Sequence, residues 1–236
     1  WKPGGLPFRL TKMVERAAIR RAAGAVVLTE AARRLLFGSA PGYPVEVIPC
    51  CVDLRGFAGL TAPGPDPEEP LFAYFGKFGG WYMAPEMAAL FARARVRWPR
   101  ARLLILTQSD AGEIGAELAA AGVPASSFTI TSEPPGMVGS RLRDADVGLS
   151  LIAAVPSKIA SSPTKNAEYL AAGLPLIATE GVGGTDELAA SAPGVLVALS
   201  RFDAAAYDEA LDALAGLLAD PATPGRCRKA ARTLSL

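Results

Sequence analysis

The chain has 236 residues, half of them hydrophobic, with a formal net charge of +1. That is enough apolar material for one large domain or a domain plus part of another, and the near-neutral balance creates no global field for nucleic acid. No apolar run approaches the ~20 residues that span a bilayer, and no signal peptide opens the sequence, so a cytoplasmic protein is expected. The chain has no histidine, which excludes Ser-His-Asp triads, Cys-His pairs and His-ligated metals built from these residues alone. Its three cysteines, Cys50, Cys51 and Cys227, are too few and too poorly spaced for a disulfide framework or a zinc site, and read as inert thiols.

In chain order, the pattern predicts a basic helix over 9–23, carrying Arg9, Lys12, Arg16, Arg20 and Arg21, then a strand over 25–29, a helix over 30–37 and a strand over 45–48. A run of Pro, Gly and acidic residues over 61–70 is the one obvious linker, and a domain boundary is placed there: 1–60 before it and 71–236 after it. Strands then alternate with helices. The strands are expected over 71–75, 102–107, 128–131, 147–152, 176–178 and 195–199; the helices over 85–97, 113–121, 135–143, 163–172, 185–190 and 203–218. Such alternation implies an α/β domain, a Rossmann-like parallel sheet with right-handed crossovers and helices on both faces. Sheets of this kind bind ligands beyond the carboxyl ends of their strands, where Gly76, Lys77, Gln108, Ser109, Thr131, Ser132 and the stretch 158–165 fall. Arg93, Arg95, Arg97, Arg100 and Arg102 scatter around a helix end and read as a solvated face, not a nucleic-acid stripe.

The most informative stretch is 161–179, where Ser162 reads as an N-cap, Pro163 as the first helical residue, and Gly173 with Pro175 as the stop before an apolar strand. Lys165 then lies in the first turn, where the helix dipole disfavours a cation, and Glu168 lies one turn on along the same face. An anionic ligand resolves that conflict. Amides at the helix start plus Lys165 suit a diphosphate, and Glu168 suits a pair of sugar hydroxyls. The plainer reading is a surface ion pair between Lys165 and Glu168, worth a few tenths of a kcal/mol. Asp144-Ala145-Asp146 spells an Asp-x-Asp, but a hard cation wants further oxygen ligands and no metal is expected. The loop 181–187 either faces a ligand or simply precedes a helix capped by Thr185.

Together these segments resemble the donor-binding half of a GT-B glycosyltransferase of the retaining, family-4 type. Val26 to Glu30 with Val47 to Asp53 is similar to the end of that family's first domain, and Phe72 to Lys77 to the opening strand of its second. Ala145 to Leu149 and Pro163 to Thr179 are similar to the closing strands, with Glu168 at the nucleotide-ribose glutamate. Gly79 to Met83 and Ser157 to Lys165 resemble a subgroup associated with cell-surface polysaccharide synthesis. Two features depart from the pattern: Ala160 stands where the family often has a second glutamate, and the basic residue expected shortly after Lys77 is replaced around Trp81-Tyr82-Met83.

The resemblance implies a fragment of a two-domain enzyme, with 1–60 the end of an acceptor-side domain and 71–236 the nucleotide-sugar domain. It implies transfer of a sugar from a nucleotide diphosphate sugar to a glycan or lipid-linked acceptor, with no cofactor and no nucleic acid. Lys77 and Lys165 are the expected catalytic charges. Gly76, Lys77, Thr131, Ser132, Lys158, Ser161, Ser162, Pro163, Thr164, Lys165 and Glu168 are the expected donor contacts, with Thr131 or Ser132 at the base and Glu168 at the ribose. In place of Ala160, the donor sugar is left to Ser161, Ser162 or backbone amides. The basic helix over 9–21 reads first as a solvated face; because similar enzymes often work at membrane surfaces, a peripheral contact with the inner face of the membrane is the alternative. A nucleotide-sugar epimerase or a phosphorylase on the same fold, and a non-catalytic nucleotide-binding module, are the alternatives.

Overall fold

The computed structural model describes residues 4–38, 42–59, 66 and 68–235; most of the expected linker lies outside them. Ten α-helices and eight strands are described. The early segment holds α1 (Leu6–Arg21), β1 (Ala25–Val27), α2 (Glu30–Phe37) and β2 (Val45–Val47), with β1 and β2 paired in parallel. The remainder holds β3 (Leu71–Phe75), α3 (Ala84–Arg97), β4 (Arg102–Leu106), α4 (Ala111–Ala120), β5 (Phe128–Thr131), α5 (Val138–Leu142) and β6 (Val147–Ser150). It continues through α6 (Pro156–Ile159), α7 (Thr164–Ala172), β7 (Leu176–Thr179), α8 (Thr185–Ser191), β8 (Leu196–Leu199), α9 (Ala204–Ala219) and α10 (Thr223–Arg232).

Strands β3 to β8 form one parallel sheet in the order β5-β4-β3-β6-β7-β8. Side-chain alternation along β3 sends Phe72 and Tyr74 to one face and Ala73 to the other. The first face buries them with Met87, Leu90 and Phe91 of α3 and Tyr207, Leu211 and Leu214 of α9. On the second face Ala73 meets Tyr169 and Leu170 of α7 and Cys227 and Ala231 of α10. Both faces are covered, as parallel sheets require.

Several expectations need correction. Strand β6 ends at Ser150, two residues early, because the Ile152 N–H leaves the ladder to donate to Thr179 Oγ1 at 3.0 Å. The arginines around the end of α3 lie at the surface as expected, and three of them are paired there: Arg93 with Asp208 and Arg97 with Asp212, between α3 and α9, and Arg102 with Glu69. Ser162 does not cap α7. Pro163 occupies the N-cap position without a side-chain bond, and Ser162 Oγ instead accepts from the Cys50 N–H at 3.1 Å. Thr185 likewise is not a cap; Gly184 takes that place in a left-handed conformation, and the Thr185 hydroxyl donates to the Val182 carbonyl. Helices α6 and α10 are additions to the expected elements.

Asp144 and Asp146 are both engaged structurally. Asp144 contacts Arg143 at 3.3 Å, and Asp146 accepts from the Leu71 N–H at 2.7 Å, tying the start of β3 to the approach to β6. Burial pushes the Asp146 carboxyl up to about 6. No helix among the described residues is long and apolar enough to cross a membrane.

Candidate functional site

The strand order reverses between β3 and β6, which are neighbours in space though three helices and two strands separate them in sequence. Loops leaving the carboxyl ends at such a point diverge and open a crevice. On one side of it lies a cavity of about 660 Å³, lined by Phe75, Gly76 and Lys77 after β3, Leu106 to Ser109 after β4, Ser132 and Glu133 after β5, Val138 of α5, and Thr164 and Glu168 of α7.

Each wall is fixed by identifiable bonds. The Gly76 N–H donates to the Leu106 carbonyl at 3.0 Å, and the Phe78 N–H donates to Ser109 Oγ at 3.1 Å, so the turn after β3 is tied to the end of β4. The Tyr74 hydroxyl donates to the Lys77 carbonyl. Gly76 has φ +117, a conformation that side chains rarely adopt. Tyr169 anchors α7 beneath the reversal point: its hydroxyl reaches the Ala73 and Leu149 carbonyls, each at 3.1 Å, and accepts from the Phe75 N–H at 3.3 Å. A side chain at Gly148 would come within 2.4 Å of the Tyr169 ring, so glycine is what lets α7 approach β6.

Lys165 is the outstanding group. It is only 7 % exposed, and its Nζ has no hydrogen-bond partner among the described residues. The ammonium lies over the rings of Tyr74 at 4.1 Å, Tyr82 at 4.8 Å and Phe75 at 6.0 Å, directly against Gly76. Aromatic faces attract a cation but return less than the lost water. Desolvation therefore lowers the Lys165 pKa to about 7; Glu168 opposes that shift and Lys158 adds to it. Burial in turn pushes the Glu168 carboxyl up, with Lys165 pulling it back. The alternative of a surface ion pair does not hold, since no bond joins Lys165 to Glu168 and Lys165 is buried.

The expected site residues divide into four groups. Gly76, Lys77, Ser132, Thr164 and Glu168 line the large cavity, with Lys165 beneath its Gly76 rim. Thr131 closes β5 and offers its carbonyl to the Thr107 N–H at 2.9 Å; it does not line the cavity. Lys158 stands apart, its Nζ 4.9 Å from the centre of the Trp81 ring and 5.4 Å from that of Tyr82, and the Ser161 hydroxyl donates to the Lys158 carbonyl at 2.8 Å. Ser162 and Pro163 face a separate cavity of about 180 Å³ shared with Leu28, Val47 and Cys50. Sequence reasoning missed Glu133, paired with Arg141, and the aromatic box of Tyr74 and Tyr82 around Lys165. No local spacing signals a box assembled from positions so far apart.

No protein-family model matches the chain, and no curated protein sequence does. Solved structures do. A sucrose-phosphate synthase from Thermosynechococcus elongatus is 20 % identical with a TM-score of 0.68, covering 96 % of this chain and 57 % of its own. WaaG, a glycosyltransferase involved in lipopolysaccharide biosynthesis, is 20 % identical with a TM-score of 0.68, covering 97 % and 66 %. A point mutant of S. aureus TarM, in complex with fondaparinux, alpha-GlcNAc-glycerol and UDP, is 14 % identical with a TM-score of 0.67, covering 94 % and 42 %. The chain thus spans little more than half of the synthase and less than half of TarM. With a six-stranded parallel sheet, a crevice at its order reversal and this likeness over nearly its whole length, the chain has the fold of the matching part of these GT-B structures.

Proposed function

We propose that the chain is the donor-binding part of a glycosyltransferase that takes a sugar from a nucleotide diphosphate sugar. The observation that carries this reading is the buried, unpartnered Lys165 ammonium under the Gly76 rim of a cavity that also holds Glu168. A cation left so poorly compensated is suited to an anion that arrives from outside.

In this reading the nucleoside occupies the cavity, with Ser132 and the backbone around it at the base edge and the Glu168 carboxylate accepting from the ribose hydroxyls. The diphosphate rests at Gly76 and Thr164, against the first amides of α7, with Lys165 below and Lys77 at the rim. During transfer the bond from sugar C1 to the β-phosphate oxygen breaks and its electron pair stays on that oxygen. An acceptor hydroxyl bonds to C1 and passes its proton to the departing diphosphate oxygen. Lys165, Lys77 and the helix start stabilise the charge that builds on the departing diphosphate. These lysines supply the positive charge themselves, so the reading needs no metal. Retention of configuration follows the family-4 likeness. A glycan or lipid-linked acceptor in cell-surface polysaccharide or glycolipid synthesis is supported by the similarity to WaaG. The location proposed is the cytoplasm, with the basic face of α1 meeting the inner side of the membrane.

Calorimetric titration with UDP, GDP and ADP tests the reading. One of them is expected to bind, and Glu168→Gln and Lys165→Met should each weaken it by roughly tenfold or more, the scale of a lost charged hydrogen bond. Unchanged affinity in both variants overturns the assignment.

A further inference from the structure

We infer that the donor's sugar ring stacks on the indole of Trp81, with a substituent oxygen accepting from the Lys158 ammonium. This inference rests on the nucleotide-sugar reading above and extends it to the part of the donor that is transferred.

Trp81 belongs to the loop after β3, and Lys158 to α6 after β6, so the two come from opposite lips of the order-reversal crevice. The Ala153 N–H donates to the Trp81 carbonyl at 2.8 Å and joins the lips. The nucleotide cavity lies on the β3, β4 and β5 side. A sugar attached to a diphosphate at Gly76 extends from there, and the loop beyond Gly76 leads to Trp81.

A single exposed tryptophan is ordinary on a protein surface, but this one is held in place. The residue is 57 % exposed while its backbone is fixed by the Ala153 bond. Gly79 and Gly80 have φ +87 and +62, and Met83 is the one described non-glycine residue with positive φ, at 43°. Non-glycine residues in that region cost energy and cluster at ligand clamps. Lys158 Nζ lies over the indole, and no carboxylate lies within ion-pair distance of it among the described residues. The arrangement therefore offers a largely exposed indole and, over its ring, one donor without a carboxylate partner that a ligand oxygen can draw aside. A pyranose matches it, because one face presents aliphatic C–H groups while the rim carries hydroxyl or carboxylate oxygens. Tyr82 is shared by both lysines, its ring centre 5.4 Å from the Lys158 ammonium and 4.8 Å from that of Lys165, which sets the proposed sugar donor close to the proposed diphosphate donor.

The test compares free nucleotide with sugar nucleotide on the same chain. Whichever of UDP, GDP or ADP binds is titrated beside its glucose and mannose conjugates, with UDP-glucuronate as the acidic arm for a uridine site, using wild type, Trp81→Ala and Lys158→Met. The variants are expected to lose on the order of tenfold in affinity for the sugar nucleotide while the free diphosphate changes less than about twofold. A larger Lys158→Met loss for the glucuronate than for glucose assigns the lysine to a carboxylate, and an equal loss to a hydroxyl; either supports the inference. Equal affinity of wild type and variants for every conjugate overturns it and leaves the nucleotide reading intact. Equal weakening of conjugate and free diphosphate also overturns it, since the loop then acts only as scaffold. Failure of wild type to bind any nucleotide overturns the underlying reading and this inference with it.

Discussion

Lys165 links the chemistry of the site to stability, and its two pH effects run in opposite directions. Its folded pKa, about 7, lies below the ordinary lysine value of 10.5. Between those values the unfolded chain holds a proton that the folded chain has lost, so stability rises with pH by at most about 1.4 kcal/mol per pH unit. Below about pH 7 both states are charged and the full cost of the buried ammonium is present. The melting temperature of wild type should therefore climb relative to Lys165→Met between about pH 6 and 9; parallel curves would refute a buried titrating lysine. Nucleotide affinity should do the reverse, falling above about pH 7 as the ammonium proposed to face the diphosphate is lost. Lys165→Arg, which stays charged, should flatten that fall. The sequence placed Lys165 correctly in the first turn of a helix beside Glu168, because helix signals are local. Its burial was not legible, because Tyr74 and Tyr82 approach it from the far end of a strand and a loop some 80 to 90 positions earlier.

Among the elements, α7 is positioned chiefly by a close approach to β6. Gly148→Ala would drive a methyl into the Tyr169 ring, and overpacking of this kind costs roughly 1–3 kcal/mol. Urea denaturation should register that loss, and an unchanged midpoint would mean that the helix is free to move. Strands and most helices were legible from apolar runs and punctuating Gly and Pro, often to within one residue, as at β3, α2 and β5. Helix α10 was not. Its buried residues Cys227, Ala230 and Ala231 are small, and basic residues dominate its other positions, so no apolar stripe stands out. The i, i+3, i+4 spacing of those three, after Pro224 near the helix start, was the available signal. The Ser162 cap failed for a different reason. A hydroxyl beside a helix start satisfies whichever N–H comes nearest, and here a distant one, Cys50, does.

Over the whole molecule, apolar exposure is uneven. Of the twelve exposed large hydrophobics among the described residues, nine fall before position 60: Leu6, Leu10, Met13, Val14, Val26, Leu28, Leu35, Leu36 and Ile48. Helix α1 buries no residue at all, whereas β6 and β7 are buried throughout. Local opening should follow that contrast, since few buried contacts mean a low opening energy. Hydrogen exchange is expected to empty α1 and β1 well before β3, β6 and β7, and uniform protection would contradict it. That outcome would leave the β6–β7 ladder and the Tyr169 anchor protected while the early segment exchanges.

Helix α10 has a consequence for how the molecule is made. It packs along α7, with the Arg228 guanidinium beside Gly173, and the Leu234 carbonyl then accepts from the Val52 N–H at 2.8 Å. The back of α7 is therefore open until the residues through Arg232 have left the ribosome, 60 positions after Ala172. At ordinary elongation rates that interval is roughly 3–12 s. During it a nascent chain has Lys165 and Glu168 already translated but the α10 wall behind their helix unbuilt.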